Sequence, residues 1–191
     1  MNGLIIRERA TFVRLADGKF LIPNPNGATE RTNQQTGAKS RFDAYDAVQG
    51  HLTRIEAKDG DYGKQYLFWF DTGIVLALKQ DNMTTQSLIN ALASIESFGV
   101  VEVSAYAKEG RTSVYVKNNG QDCKWRVAWE NQPKAEPVLN AKTGKPVLNA
   151  AGKSTYDTEE RVAFFDKLVS EINTRLQGVK VDEPQTGGVD W

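Results

Sequence analysis

The chain has 191 residues, with 24 Lys and Arg balanced by 24 Asp and Glu, one His and one Cys. That length holds one domain with extensions or two small ones, and suffices for a hydrophobic core without staples. The lone Cys123 excludes an internal disulfide. Neither a signal peptide nor a membrane span is expected, because the opening run Leu4-Ile5-Ile6 meets Arg7 at once.

In chain order, residues 4–22 alternate apolar and polar on both sides of Asp17-Gly18, which predicts a hairpin. Residues 23–41 are rich in Pro, Gly, Asn and Thr and read as a long loop. A strand is expected over 45–57, with Gly50 marking a bulge or sharp bend. After a turn at 59–64 come an aromatic strand over 65–72 and another over 73–80. Leu88, Ile89, Leu92 and Ile95 make an apolar stripe that predicts a helix over 84–98, capped by Thr84 or Thr85. Strand alternation returns at 100–108 and 111–118, joined by Glu109-Gly110, and again at 124–130. There Trp125 and Trp129 are expected in the core, with Arg126 on a solvated face.

Residues 133–157 contain a short repeat, Pro137-Val138-Leu139-Asn140-Ala141 and Pro146-Val147-Leu148-Asn149-Ala150. Two copies are too few for a solenoid, so an insertion or hairpin is expected. Val162, Phe165, Val169, Ile172 and Leu176 then recur at helical spacing over 158–178, with Glu159 and Glu160 at the positive end and Gly178 as the stop. Residues 179–191 read as an acidic tail. Asp182, Glu183 and Asp190 face no Lys or Arg within 181–191, whereas 133–153 carries four Lys and one Glu.

Three strands, a helix and two strands is the order of the OB fold, a five-stranded Greek-key barrel. The expected class is therefore mainly β: a barrel domain over 1–132 with an N-terminal hairpin, a helix between barrel strands three and four, and a C-terminal helix. A generic α+β sheet fits the same order.

Asp17-Gly18-Lys19-Phe20, Gly50 in the first barrel strand, Tyr62-Gly63-Lys64 at the entry to the second, and Tyr66 carry a resemblance. Over roughly 12–118 the chain resembles the single-stranded DNA-binding proteins of phages and prophages. The resemblance implies an OB barrel that binds single-stranded DNA without reading its sequence, in phage or prophage DNA replication or recombination. It also implies the cytoplasm of a bacterial host and no cofactor. Bacterial proteins of that function end in an acidic tail with a terminal aromatic, typically an Asp run and Ile-Pro-Phe. This chain ends Val189-Asp190-Trp191 with fewer acids. Asp182, Glu183, Asp190 and Trp191 thus form a candidate docking segment for replication or recombination proteins, with Trp191 as anchor.

Single-strand binding needs cations along the phosphates and flat side chains for base stacking. Strand parity sets Tyr66, Phe68 and Phe70 inward and Trp69 outward. Tyr106 points outward on 100–106, as do Arg111, Tyr115 and Lys117 on 111–117. The turns add Lys58, Tyr62, Lys64 and Lys108. Outward aromatic rows also serve plain cross-strand packing. His51 reads as a strand surface residue, and one His with one Cys gives catalysis little to stand on. Two rivals stay open. One is a non-catalytic virion or assembly module, with the 158–177 helix as a contact between copies. The other is a metal-dependent nuclease using Asp59, Asp61 and Asp71.

Overall fold

The computed structural model describes residues 10–33, 36–60, 63–149 and 152–178. The protein is mainly β. Among the described residues the principal sheet has ten strands in the order β10-β9-β8-β5-β6-β7-β1-β2-β4-β3. These are β1 (Thr11–Ala16), β2 (Lys19–Pro23), β3 (Thr29–Thr32), β4 (Lys39–Tyr45), β5 (Ala47–Gly60), β6 (Gly63–Phe70), β7 (Ile74–Lys79), β8 (Val100–Lys108), β9 (Arg111–Asn118) and β10 (Gln121–Asp122). Helix α1 (Met83–Leu92) separates β7 from β8, and α2 (Glu159–Gly178) ends the described chain. No helix among the described residues is long and apolar enough to cross a membrane.

The strand–strand–strand–helix–strand–strand order over 47–118 is as the sequence predicts, but the five-stranded closed barrel is not. The sheet stays open. The reason lies in β1. It runs parallel to β7 through Thr11–Val13 and Ile74–Leu76, then turns away to pair with β2 through Arg14–Ala16. The edge of β7 that a closing strand would use is taken by β1, so β9 never joins it. The loop expected over 23–41 also needs correction. It holds β3 and the start of β4, which form a second hairpin on β2. The hairpin at Asp17-Gly18 forms with φ of 53° and 71°, the left-handed pair that a two-residue turn requires. Here Gly18 is obligatory for a second reason: an added Cβ would lie 2.3 Å from the Ala107 nitrogen.

The sheet bends around β5. Its first part, Ala47–His51, pairs with β8, and the stretch from Leu52 to Gly60 pairs with β6. The register shifts between Leu52 and Arg54, so the irregularity falls just beyond Gly50. Gly50 serves a different contact: an added Cβ would meet the Asp71 carboxylate at 2.8 Å, and that carboxylate accepts the His51 N–H at 2.8 Å. Where β8 has left, Ile55 needs a new partner for its backbone. Asn173 of α2 supplies it: the side chain accepts from the Ile55 N–H at 2.9 Å and donates to the Ile55 carbonyl at 2.8 Å.

Both helices pack inside the bend. Leu88, Ile89 and Leu92 of α1 meet Phe165, Leu168, Val169, Ile172 and Leu176 of α2 and the inward rows of the strands, Tyr66, Phe68 and Phe70 among them. The α2 stripe is therefore occupied within the chain. That apolar face is not free for a contact between copies through 158–177, and burial of each such side chain contributes roughly 1.5–3 kcal/mol to this core. The cap of α1 is Asn82, whose side chain accepts the Thr84 N–H at 2.8 Å, rather than Thr84 or Thr85. The helix ends at Leu92, short of the expected 98, where Arg175 of α2 donates to the Ala93 and Ile95 carbonyls.

One polar cluster lies at the edge of this core, where the buried Tyr66 and Gln80 meet the exposed Asp166. The Tyr66 hydroxyl bonds to the Asp166 carboxylate, and the buried Gln80 amide donates to both, at 2.9 Å each. Burial first, then the bond to Asp166, pushes the Tyr66 hydroxyl well above the ordinary phenol range, so it stays protonated and donating. The cluster ties the first half of α2 to the end of β7.

Asn173→Ala leaves the Ile55 N–H and carbonyl without partners. Stability should fall by roughly 1–3 kcal/mol for each orphaned group, read as a lower denaturant midpoint at unchanged m. An unaltered midpoint would remove the clamp from this account.

Candidate functional site

Failure of the sheet to close leaves a cleft of about 580 Å³ between β7 and β1 on one side and β9 on the other. Leu15 and Leu78 contribute from β1 and β7. Asn82, Met83, Thr84 and Ser87 come from the start of α1, and Tyr106 and Arg111–Val114 from the β8–β9 hairpin. Trp125 completes the lining.

Thr112 holds the two sides together. Its hydroxyl accepts the Gly18 N–H at 3.1 Å, and its carbonyl accepts the Thr84 hydroxyl at 2.7 Å. The β1–β2 turn, the start of α1 and β9 are thereby fixed around the opening. The rim is aromatic and apolar, with Tyr106 47%, Trp125 45% and Met83 52% exposed. Arg111 stands on that rim, and it forms no ion pair with any described residue.

Trp125 is a correction to the sequence reading. Residues 124–130 form no strand; they run as an irregular segment into a 3-10 turn at Trp129–Asn131. What fixes this segment is Asn90 of α1, which donates to the Val127 carbonyl at 2.8 Å and accepts the Val127 N–H at 2.9 Å. Neither Trp125 nor Trp129 is in the core. Trp129 is 43% exposed and lies under the Arg161 guanidinium, 4.9 Å from its centre.

The residues expected to contact a strand separate into groups. Tyr106 and Arg111 meet in the cleft, and Lys108 pairs with Arg111 across the hairpin. Tyr115 and Lys117 lie further along β9 and are engaged. The Tyr115 hydroxyl donates to Asp122 at 2.6 Å, a bond that raises its pKa above the usual range. Lys117 sits 5.5 Å over the Tyr115 ring and 3.8 Å from Glu102. Lys58 lines up with Gln65 and Lys79 across β5, β6 and β7, and Lys64 faces Asp59. Tyr62 and the tail residues Asp182, Glu183, Asp190 and Trp191 lie outside the described residues.

Trp69 points outward, as parity requires, but its ring is already in use. The Arg54 guanidinium covers it at 4.0 Å, Phe12 meets it edge to face at 6.4 Å, and its N–H donates to Glu56 at 2.9 Å. Phe12, Trp69 and Val75 form one cross-strand row, and the two rings flank a Val75 that is fully buried.

Among the described residues, no three His, Cys, Asp or Glu gather as a metal-ligand set. Of the three acids in the nuclease reading, Asp61 lies outside the described residues and Asp71 serves the His51 backbone. The sequence offered no signal for Met83, Leu15 or Leu78 as site residues, because the cleft is made by strand pairing and not by a local motif. No family model, curated protein or solved structure matches the chain.

Trp69→Ala should lower stability by somewhat less than the roughly 3–5 kcal/mol of a fully buried Trp. Affinity for single strands should change by less than about twofold, since one face of the ring is taken by Arg54. Thermal melts and strand-binding titrations on the same variant decide. Lost affinity at unchanged stability would make Trp69 a ligand platform.

Proposed function

We propose that this chain binds single-stranded DNA without reading its sequence, in phage or prophage DNA replication or recombination, and that the strand enters the cleft between β1, β7 and β9. The observation that carries the reading is the rim: exposed Tyr106 and Trp125 beside an Arg111 that forms no ion pair with a described residue. Flat side chains stack on any base but need that base unstacked from its neighbours, which a single strand offers and a duplex does not. A guanidinium beside them suits a phosphate. The volume falls within the roughly 300–1,000 Å³ of ordinary ligand sites. The context of replication or recombination rests on the sequence resemblance alone. On the same footing, the segment with Asp182, Glu183, Asp190 and Trp191 is proposed to dock on a replication or recombination protein.

The test is a salt-titrated binding series with oligo-dT, duplex and RNA of equal length. The reading predicts preference for single strands and affinity that falls as salt rises. Tyr106→Ala should weaken binding by roughly 5- to 150-fold, the equivalent of a stack worth about 1–3 kcal/mol. Arg111→Gln should reduce the slope of log affinity against log salt by about 0.7. Equal affinity for duplex, or a flat salt response, would contradict it.

A further inference from the structure

The repeat at 137–150 belongs to no part of the cleft. Glu136–Pro137 (β11) pairs with Tyr156–Asp157 (β12), and the chain between them folds back twice. Val138 donates its N–H to the Thr155 carbonyl at 2.9 Å, Val147 to the Val138 carbonyl at 2.8 Å, and Thr155 to the Val147 carbonyl at 2.7 Å. Each repeat copy ends on a turn in which an Asn caps the bend and a Gly closes it. Gly144 donates to the Asn140 carbonyl at 2.8 Å and Gly152 to the Asn149 carbonyl at 2.9 Å, with φ of 65° and 72°. The Asn140 side chain accepts the Lys142 N–H at 2.9 Å, and the Asn149 side chain accepts the Lys153 N–H at 3.0 Å. Asx-type bonds of this kind fix a turn locally, without help from a core. Each copy of the repeat therefore leads into a tip of one small arm.

Charge is separated along this arm. Its acids, Glu136 and Asp157, face each other at the base. Between residues 138 and 155 there is no Asp or Glu, while Lys142, Lys145 and Lys153 lie exposed at the tips. None of the three forms an ion pair with a described residue. In a chain of zero net charge this is a concentrated cationic surface. The root of the arm is connected to the cleft along the chain and through α2. Trp125 lines the cleft, Trp129 packs under Arg161 in the first turns of α2, and Asp157 accepts the Glu159 N–H at 2.9 Å where α2 begins. Asp166, further along α2, bonds Gln80 just before the cleft residues Asn82 and Met83.

We infer that the 136–157 arm is a second contact for the strand held in the cleft, with Lys142, Lys145 and Lys153 taking backbone phosphates. This rests on the reading of the cleft given above. It assigns the repeat a role that base stacking does not supply: extending the footprint electrostatically, so that longer strands gain affinity through counterion release.

The experiment uses the full chain and a K142Q/K145Q/K153Q variant, with oligo-dT of increasing length, read by fluorescence anisotropy across a salt series. For long oligo-dT the variant should lose about 2 from the slope of log affinity against log salt, at about 0.7 for each phosphate contact. For the shortest oligomer that still binds, the two proteins should agree. K142E/K145E/K153E should deepen the loss, and an unchanged melting temperature for both variants confirms that the arm alone is altered. A slope unchanged with long oligo-dT overturns the inference while leaving the cleft reading intact. Tyr106→Ala without effect, together with a slope that falls in the lysine variant, would overturn the cleft reading and with it the two-site account. Loss of self-association in the lysine variant, at unchanged slope, would assign the arm to a second copy of this chain instead.

Discussion

The fold depends on one strand changing partners. A β-strand has two edges, and β5 gives one to β8 over its first residues and the other to β6 over its remainder. Past the register shift the edge that faced β8 is bare at Ile55. An exposed backbone pair in the interior costs about what a lost hydrogen bond costs. Asn173 removes that cost by presenting an amide to Ile55 in the geometry a neighbouring strand would have used. The consequence is that a helix, and not a strand, covers the inner bend. With α2 pinned there at one point, and by Asp166 to Tyr66 and Gln80 at another, the end of β7 and the start of α1 are set in place.

From this the cleft follows. The start of α1 is held by the Gln80 cluster on one side and by the Thr84–Thr112 bond on the other. β1 blocks the edge of β7 that would otherwise close the sheet and then departs to β2. What remains between β1, β7 and β9 is a gap of mixed polar and apolar lining with an aromatic rim, tied across at Thr112. A sheet that closed would have brought β9 against β7 and left no cavity there. The opening is thus a product of strand pairing, and the side chains around it owe their exposure to the same cause. Polarity is arranged in keeping with this. Lys19, Arg31, Lys39, Arg54, Lys117 and Arg126 are matched by acids, whereas Arg111 in the cleft and Lys142, Lys145 and Lys153 in the arm form no ion pair with a described residue.

Much of the local structure was legible in the sequence, because period-2 and period-3.6 patterns report directly on which side of an element is buried. The inward rows Tyr66, Phe68 and Phe70, and Val101, Val103 and Ala105, lie in the core as their alternation requires. The turn at Asp17-Gly18 and the stripe of α2 were equally plain. What was not legible is pairing at a distance. Nothing local says that β1 chooses β7 and chooses it parallel, and that choice decides whether the barrel closes. Asn90 and Asn173 were hidden for a related reason. A polar residue on an amphipathic helix reads as solvated, yet each is a clamp on the backbone of a distant segment. Trp125 shows the opposite failure: alternation in a short polar segment looked like a strand, while Asn90 holds its neighbour Val127 in an irregular path that turns the ring out to the cleft. The hairpin of β3 and β4 was obscured by Pro, Gly and Asn in its turns, which made the whole of 23–41 resemble loop.

The central claim is that a single strand occupies the unclosed edge of the sheet, between α1 and the β8–β9 hairpin. Photo-cross-linking answers it most directly. Oligo-dT carrying iodinated pyrimidines would be irradiated on the full chain and the adducts mapped by peptide mass spectrometry. Adducts at Tyr106 and Trp125 are the result this account predicts. Adducts confined to the outward row of Phe12 and Trp69, or to neither surface, would contradict it.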